Sequence, residues 1–151
     1  MELKTRIEQD LKTAMLAGDK PLVSTLRGLK SAILYVEVAK GARETGLKDT
    51  EIIEILAKES KKRQESADLY KQGGNDDRAN AELAEKAIVD GYLPQQLGED
   101  ELQAVVDLAI AELGATDKQL MGQVIGLVKQ RTSGAADGAV IAKLVKERLG
   151  Q

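Results

Sequence analysis

The sequence has no cysteine and no histidine among its 151 residues. Disulfide bonds, thiolate chemistry, histidine-dependent nucleophiles and the usual zinc ligands are therefore excluded, and no cofactor or metal is expected. Phenylalanine and tryptophan are also missing, which leaves Tyr35, Tyr70 and Tyr92 as the aromatic residues. A core must be built from aliphatic side chains, and this favours helices. Because the two prolines are Pro21 and Pro94, long helices can form between them.

Charge is unevenly distributed along the chain. The net charge of −3 argues against a general binder of polyanions. Residues 99–117 carry six acids and no base, whereas residues 118–151 carry six bases and two acids. The C-terminal segment is therefore basic, although the protein as a whole is acidic. The first twenty residues are too rich in charge for a signal peptide or a membrane span, so the sequence predicts a cytoplasmic protein without a membrane partner.

Helical periodicity divides the chain into seven segments, and no alternating strand pattern of useful length is present. The sequence predicts an all-α protein, with four helices, two of them long, in residues 1–91 and three shorter helices in residues 99–151. Residues 92–98 break the pattern, because Pro94 prevents helical continuation. We interpret them as a hinge that lets the two domains change their relative orientation, and we expect a monomer.

The predicted third helix carries polar residues where a fully buried helix would have apolar ones, since its stripe includes Ser60 and Arg63. A buried charge persists only when it is paired. We predict that Arg63 pairs with Glu82 or Glu85 on the next helix and that Arg27 joins them. The pattern fits either a structural network or a partner-binding surface. Glu82 and Glu85 could also be read as metal ligands, but two carboxylates one turn apart are common on solvated helices, so this indication is weak.

The last third of the chain contains regularly placed glycines. Gly122 and Gly126 lie four apart on one face of a predicted helix, where another backbone or a phosphate can come close. Gly134 and Gly138 flank a turn, and Asp137 stands where the following helix needs an N-cap. Close helix packing and a capped turn would explain each of these residues individually.

Several stretches resemble the YqeY family, in the family's order. They are KPLVSTLRGLKSAI at 20–33, KESKKRQES at 58–66, Glu82-x-x-Glu85, YLPQQL at 92–97, and the glycine-containing tail from Leu120 to Leu149. The tail is also similar to the small helical domain that ends the B subunit of glutamyl-tRNA(Gln) amidotransferase. Together these stretches cover nearly the whole chain, and it is identified as a member of the GatB/YqeY family.

This resemblance implies an accessory role in tRNA metabolism rather than catalysis. The tail domain of the amidotransferase subunit helps to hold tRNA, while the amidotransferase chemistry belongs to domains absent here. The resemblance implies binding of tRNA, or of a protein that aminoacylates or amidates it. Any carbon–nitrogen ligase activity attributed to such proteins would be carried over from the amidotransferase by name alone. The residues expected to approach RNA are Met121, Gly122, Gly126, Lys129, Arg131, Gly134, Asp137, Gly138, Lys143 and Lys146.

The chain departs from the family pattern at two positions. Ser133 and Ala135 stand where family members usually have basic residues, which removes two expected phosphate contacts. A protein-interaction module without RNA contact is therefore the alternative function, using either the polar stripe around Arg63 or the segment from Tyr92 to Leu97. An enzyme acting alone is the third interpretation, and the sequence contains no catalytic constellation that would support it.

Overall fold

A computed structural model describes residues 2–150 of the chain. Seven α-helices and one short 3-10 turn form the regular structure of these residues, and none of them lies in a β-strand. The predicted all-α class is confirmed. Between residues 2 and 150, no helix has both the length and the apolar character that crossing a bilayer requires.

The chain forms two compact units, with the boundary between Leu93 and Pro94. The first unit contains α1 (Glu2–Ala17), α2 (Lys20–Ala39), α3 (Asp49–Gln72) and α4 (Asp76–Asp90). The second contains α5 (Glu99–Leu113), a 3-10 turn (Lys118–Leu120), α6 (Met121–Thr132) and α7 (Gly138–Leu149). The two long helices of the first unit are α2, with 20 residues, and α3, with 24.

The first unit is built from two helical hairpins. Gly18 (φ +69°) ends α1 in a left-handed conformation, and the Asp19 side chain then accepts the Leu22 N–H at the start of α2. The tight turn makes α1 and α2 antiparallel neighbours, as α3 and α4 are. Their apolar stripes meet in one aliphatic core, where burial of each leucine or isoleucine contributes roughly 1.5–3 kcal/mol. The core residues are Ile7, Leu11, Ala14, Leu26, Leu29, Ile33, Leu47, Ile52, Leu56, Val89 and Tyr92.

The first unit also contains a buried carboxylate. The Glu37 side chain, near the end of α2, is only 2% exposed. Its two oxygens accept hydrogen bonds from Lys4 Nζ on α1 at 2.9 and 3.1 Å. Because a carboxylate removed from water needs a charged or hydrogen-bonding partner, this pair joins the start of α1 to the end of α2.

Tyr92 connects the end of the first unit to α1. Its hydroxyl donates to Asp10 Oδ2 at 2.5 Å, and the Arg6 guanidinium lies over the ring, 4.6 Å from its centre. Arg6 also donates to the Gly91 carbonyl. Burial raises the pKa of the Tyr92 hydroxyl above its usual value, and the hydrogen bond to Asp10 raises it further. Tyr92 therefore belongs to the first core rather than to a free linker.

The second unit has a separate aliphatic core. It is formed by Leu102, Val106, Ala109, Ala115, Val124, Val128, Ile141, Leu144 and Val145, which come from α5, α6, α7 and the connection after α5. Leu97 packs against this core, and its N–H donates to the Ala135 carbonyl at 2.8 Å.

The segment interpreted as a hinge is thus divided between the two cores. Tyr92 and Leu93 pack in the first unit, and Leu97 packs in the second. The proposed change in orientation between the two units stays a prediction.

The packing of Leu97 makes its contribution to the second unit measurable. We expect a fragment of residues 94–151 to unfold cooperatively, and a fragment of residues 99–151 to be less stable by about 1–3 kcal/mol. The shorter fragment loses the burial of Leu97 and its backbone hydrogen bond. Urea unfolding followed by circular dichroism measures the difference. Gln95→Ala in the longer fragment is the control, because Gln95 is exposed. Equal stability of the two fragments would contradict this role of Leu97.

The raised pKa of Tyr92 predicts a stability change at alkaline pH. The group is protonated in the folded state at pH values where the unfolded tyrosine already ionises, so its contribution is complete below about pH 10 and is lost as pH rises further. Tyr92→Phe should lower the free energy of unfolding at neutral pH by about 1 kcal/mol, through loss of the bond to Asp10. Above pH 10 the difference in free energy of unfolding between wild type and Tyr92→Phe should become smaller. Tyr35→Phe, at an exposed position, is the control, and a constant difference would refute the prediction.

Candidate nucleic-acid interface

One face of α6 is open to solvent and carries little side-chain volume. Gly122, Gly126, Lys129 and Ser133 follow each other at spacings of four, three and four, so they lie on one helical stripe. All four are exposed, while the opposite side of α6 enters the second core. The stripe thus leads from bare helix backbone to a lysine.

Packing against other described residues does not require the two glycines on this stripe. Among residues 2–150, a Cβ atom built on Gly122 or on Gly126 would have no atom within 4 Å apart from the neighbouring backbone of its own helix. Close packing against another helix, one of the two explanations that the sequence left open, therefore does not account for them here. What remains is a stretch of α6 backbone that a partner can approach closely.

Lys129 lies beside the start of α7. A Cβ atom on Gly138 would stand 3.2 Å from Lys129 Cε and 3.4 Å from its Nζ, so the ammonium group is next to the first turn of that helix. The Asp137 side chain accepts the Ala139 N–H at 3.2 Å and caps the same turn. The remaining N–H groups of the turn and the ammonium both favour an anion at this place.

The turn between α6 and α7 has an unusual backbone. Ser133 (φ +45°) and Gly134 (φ +87°) are successive residues in the left-handed region, where a non-glycine residue is uncommon. The Gly134 carbonyl accepts a hydrogen bond from Gln96 Nε2 at 3.1 Å, and Ala135 accepts the Leu97 N–H. These bonds hold the turn against the segment that precedes α5.

Arg131 lies away from the exposed stripe. It is nine positions after Gly122, which places it about half a turn around α6 from that glycine. Its guanidinium forms an ion pair with Glu112 of α5. Arg131 therefore joins α6 to α5 and does not share the exposed stripe with Lys129, although the sequence suggested both as RNA contacts.

The other expected RNA contacts differ in their surroundings. Lys143 and Lys146 are exposed on α7, one turn apart, and form no ion pair within 4.0 Å among residues 2–150. Arg148 Nε, in contrast, is 3.2 Å from Asp107 Oδ1. Met121 is half-buried and packs against the second core, so most of its side chain is engaged within the unit.

The polar network predicted around Arg63 lies in the first unit. Arg63 Nη1 donates to Glu59 Oε2 at 2.8 Å and to the Glu59 carbonyl at 3.2 Å. Its Nε is 3.4 Å from Glu85 Oε2, yet the orientation gives this buried N–H no hydrogen bond. The Arg63 side chain is 14% exposed, which explains why it takes two acidic neighbours.

The membership of this network differs from the sequence prediction. Glu59 was missed, although its spacing of four from Arg63 on α3 is typical of a helical ion pair. In the described part of the chain, Glu82 makes no ion pair with Arg63 within 4.0 Å, and Arg27 makes none with Glu59, Glu82 or Glu85. Gly28 of α2 lies beside the guanidinium, since a Cβ there would be 3.9 Å from Arg63 Nη2. The helical phase of α2 turns Arg27 away toward solvent.

A second polar cluster ties α3 to α4 close to Arg63. Ser60 Oγ donates to Asp90 Oδ1, and Lys86 Nζ lies 2.7 Å from Asp90 Oδ2. The polar stripe of α3 therefore includes a direct hydrogen bond to α4. Within residues 2–150, no group of three or more acidic side chains is arranged to hold a metal ion.

The fold and this surface define an all-helical protein of two compact units whose second unit presents an exposed, glycine-lined and basic helix face. A family model described as Yqey-like protein matches residues 4–149. The chain belongs to the YqeY-like family.

Curated relatives share the same family. A protein of Pyrenophora tritici-repentis named Altered inheritance of mitochondria protein 41, mitochondrial, is 26% identical over 96% of this chain and 80% of its own length. A protein of the same name from Eremothecium gossypii is 34% identical over 73% of this chain. That alignment covers 60% of the Eremothecium protein.

The names of these relatives overturn the cytoplasmic location predicted from the sequence. All four curated relatives are named as mitochondrial proteins. The prediction was wrong because it depended on charge near Met1 and on the lack of a long apolar run. Those features bear on membrane insertion but carry no information on which aqueous compartment a protein occupies.

The Arg63 network predicts a stability effect that a double-mutant cycle can resolve. Arg63→Ala should lower the free energy of unfolding by about 1–3 kcal/mol, because it leaves Glu59 and Glu85 beside an apolar replacement. The double variant Glu59→Ala, Arg63→Ala should lose less free energy of unfolding than the sum of the losses in the two single variants. For Glu82→Ala with Arg63→Ala, the losses in free energy should be additive. Urea unfolding of the full chain provides the measurement. Coupling to Glu82 of the same size as to Glu59 would contradict the observed pairing.

Proposed function

We propose that this protein is a non-catalytic accessory module that binds folded tRNA through its second unit. The exposed stripe of α6 and the start of α7 form the contact surface. The observation that carries the proposal is the course of this stripe, from the bare backbone at Gly122 and Gly126 to Lys129 beside the α7 N-terminus. Backbone N–H groups, a helix N-terminus and ammonium groups are the usual contacts of proteins with phosphates.

Unpaired lysines support an electrostatic contribution to binding. Lys118, Lys129, Lys143 and Lys146 of the second unit form no ion pair within 4.0 Å among the described residues, whereas Arg131 and Arg148 do. Only an unpaired cation can neutralise a phosphate without first breaking a contact within the protein. Of these four, Lys129, Lys143 and Lys146 are assigned to RNA, because they are also the lysines that the family resemblance implies.

The type of RNA follows from the side chains of the second unit. All three tyrosines of the chain lie in residues 2–93, so the second unit has no aromatic ring on which an unpaired base could stack. Single-stranded RNA is usually held by such stacking, while helical RNA is recognised by backbone and shape. A folded tRNA fits this surface better than an unpaired strand.

A non-catalytic role agrees with the amino acids available. Without histidine and cysteine, the chain cannot use the commonest general base or a thiolate nucleophile. The resemblance also concerns the tail domain of the amidotransferase subunit, and the chemistry of that enzyme belongs to other domains.

Fluorescence anisotropy with labelled tRNA and the full chain tests the proposal. Binding should weaken as salt rises from about 50 to 200 mM, and Lys129→Glu with Lys143→Glu should reduce the slope of log K against log salt by roughly two. Gly126→Leu should weaken binding without destabilising the unit, because its side chain projects into open space and leucine favours helix. Lys58→Glu with Lys71→Glu, both exposed on α3, is the control of equal charge change.

A gain of binding is the more discriminating result. Ser133→Lys with Ala135→Arg restores the two basic residues usual in the family and should tighten tRNA binding at low salt. A gain cannot arise from damage to the fold. If this variant folds normally and still does not bind tRNA at low salt, the proposal fails.

A further inference from the structure

The outer side of the α1–α2 hairpin contains two hollows that share one residue, Arg27. The larger has a volume of about 530 Å³ and reaches Lys4 and Arg43. The smaller, of about 430 Å³, reaches Met15 and Lys20 near the turn of the hairpin. Because they share Arg27 and lie along the same hairpin, we call the two hollows together the α1–α2 groove.

The groove has the length and the spacing of a helix-binding site. Its α2 residues include a series at alternating separations of three and four, formed by Lys20, Val23, Arg27, Lys30, Leu34 and Glu37. Such alternation is the heptad spacing by which one helix packs along another. From Lys20 to Glu37 the series extends over about 25 Å at the helical rise per residue. A small molecule would fill only part of this length.

Cations outnumber acids among the described residues that line the groove. Five cations line it, namely Lys4, Lys20, Arg27, Lys30 and Arg43, against the two acids Glu8 and Glu37. Lys4 is paired with Glu37, and Lys30 Nζ is 3.9 Å from Glu8 Oε1.

Three of these cations remain available. Lys20, Arg27 and Arg43 form no ion pair within 4.0 Å anywhere in residues 2–150, and all three are exposed. A positive groove in a chain of net charge −3 indicates an acidic partner.

Apolar side chains are exposed along the same groove. Met15 is 51% exposed in the smaller hollow, and Leu34 is 41% exposed in the larger one. Val38, one turn beyond Leu34 on α2, is also exposed. Phosphate groups would use the cations but leave Met15 and Leu34 in water. A partner that presents both carboxylates and apolar side chains satisfies the whole surface.

We propose that the α1–α2 groove binds an acidic amphipathic helix of a partner protein. The partner helix lies along the α2 residues of the groove, and its apolar side chains contact Met15, Val23 and Leu34. Its carboxylates meet Lys20, Arg27 and Arg43. All the residues involved belong to the first unit, so this interaction is separate from tRNA binding by the second unit. The module then has one unit for RNA and one for protein.

A designed peptide tests the groove with the full-length chain. The probe is a labelled 18-residue helical peptide with leucines at spacings of three and four on one face and glutamates on both flanks. We expect saturable binding with Kd on the order of 10 µM. Arg27→Glu with Arg43→Glu should weaken it at least about tenfold, and Leu34→Ser should weaken it severalfold. Lys58→Glu with Lys71→Glu, on α3, should leave Kd unchanged.

Exchange of charges provides a test that misfolding cannot imitate. The same peptide with lysine in place of every glutamate should bind the wild type poorly and should bind the Arg27→Glu, Arg43→Glu variant better than the wild type. Circular dichroism confirms that the variant is folded. Equal binding of both peptides by the wild type would overturn the proposal, as would absence of saturable binding up to about 500 µM.

Three further outcomes separate this proposal from other occupants. Competition of tRNA with the peptide, abolished by Arg27→Glu with Arg43→Glu, would assign the groove to RNA and overturn it. Binding of anionic phospholipid vesicles that the same variant abolishes would assign it to a membrane surface. Dimerisation of the protein alone, abolished by that variant in light scattering, would assign it to a second copy of the chain. Loss of tRNA binding in the Lys129→Glu, Lys143→Glu variant, with peptide binding intact, would show the two sites to be independent.

Discussion

The buried ion pair between Lys4 and Glu37 is the constraint on which the first unit depends. Glu37 lies almost completely out of water, so its carboxylate is tolerated only where Lys4 reaches both of its oxygens. This requirement sets the start of α1 against the end of α2, while the turn at Gly18 sets their other ends together. With both ends fixed, the apolar stripes of the two helices face one core and leave the α1–α2 groove on the outer side.

Two small aliphatic cores take the place of one large core. Without phenylalanine or tryptophan, each core is filled by leucine, isoleucine, valine and alanine, whose burial supplies less energy per residue than that of large aromatic side chains. Polar contacts add to the packing at the edges. Tyr92 with Asp10 and Arg6 does so in the first unit, and Leu97 with Ala135 does so in the second.

The arginines of the structural contacts are paired, whereas the cations assigned to the two proposed partners are not. Arg63, Arg131 and Arg148 each have an acidic partner and join one helix segment to another or to its own preceding turn. The unpaired cations of the proposed sites lie instead along α6 and α7 in one unit and along the α1–α2 groove in the other. Each surface also offers something besides charge, namely closely approachable glycine backbone in the first case and the exposed apolar side chains of Met15 and Leu34 in the second. Charge together with shape therefore distinguishes the two proposed partners.

The sequence by itself determined the helical class, the aliphatic nature of the cores and the glycine spacing on α6, because all three depend on local periodicity and composition. It also indicated that Arg63 needs acidic neighbours, since a charge on an apolar stripe must be paired. Tertiary structure decided which acids these are, selecting Glu59 and Glu85 over Glu82, and it left Arg27 outside the network, because partner choice depends on the rotation of neighbouring helices. It likewise turned Arg131 toward Glu112, buried Glu37 beside Lys4 and brought Arg27 and Arg43 to one groove. Those contacts join residues far apart in the chain, and their distances are set by packing rather than by sequence spacing.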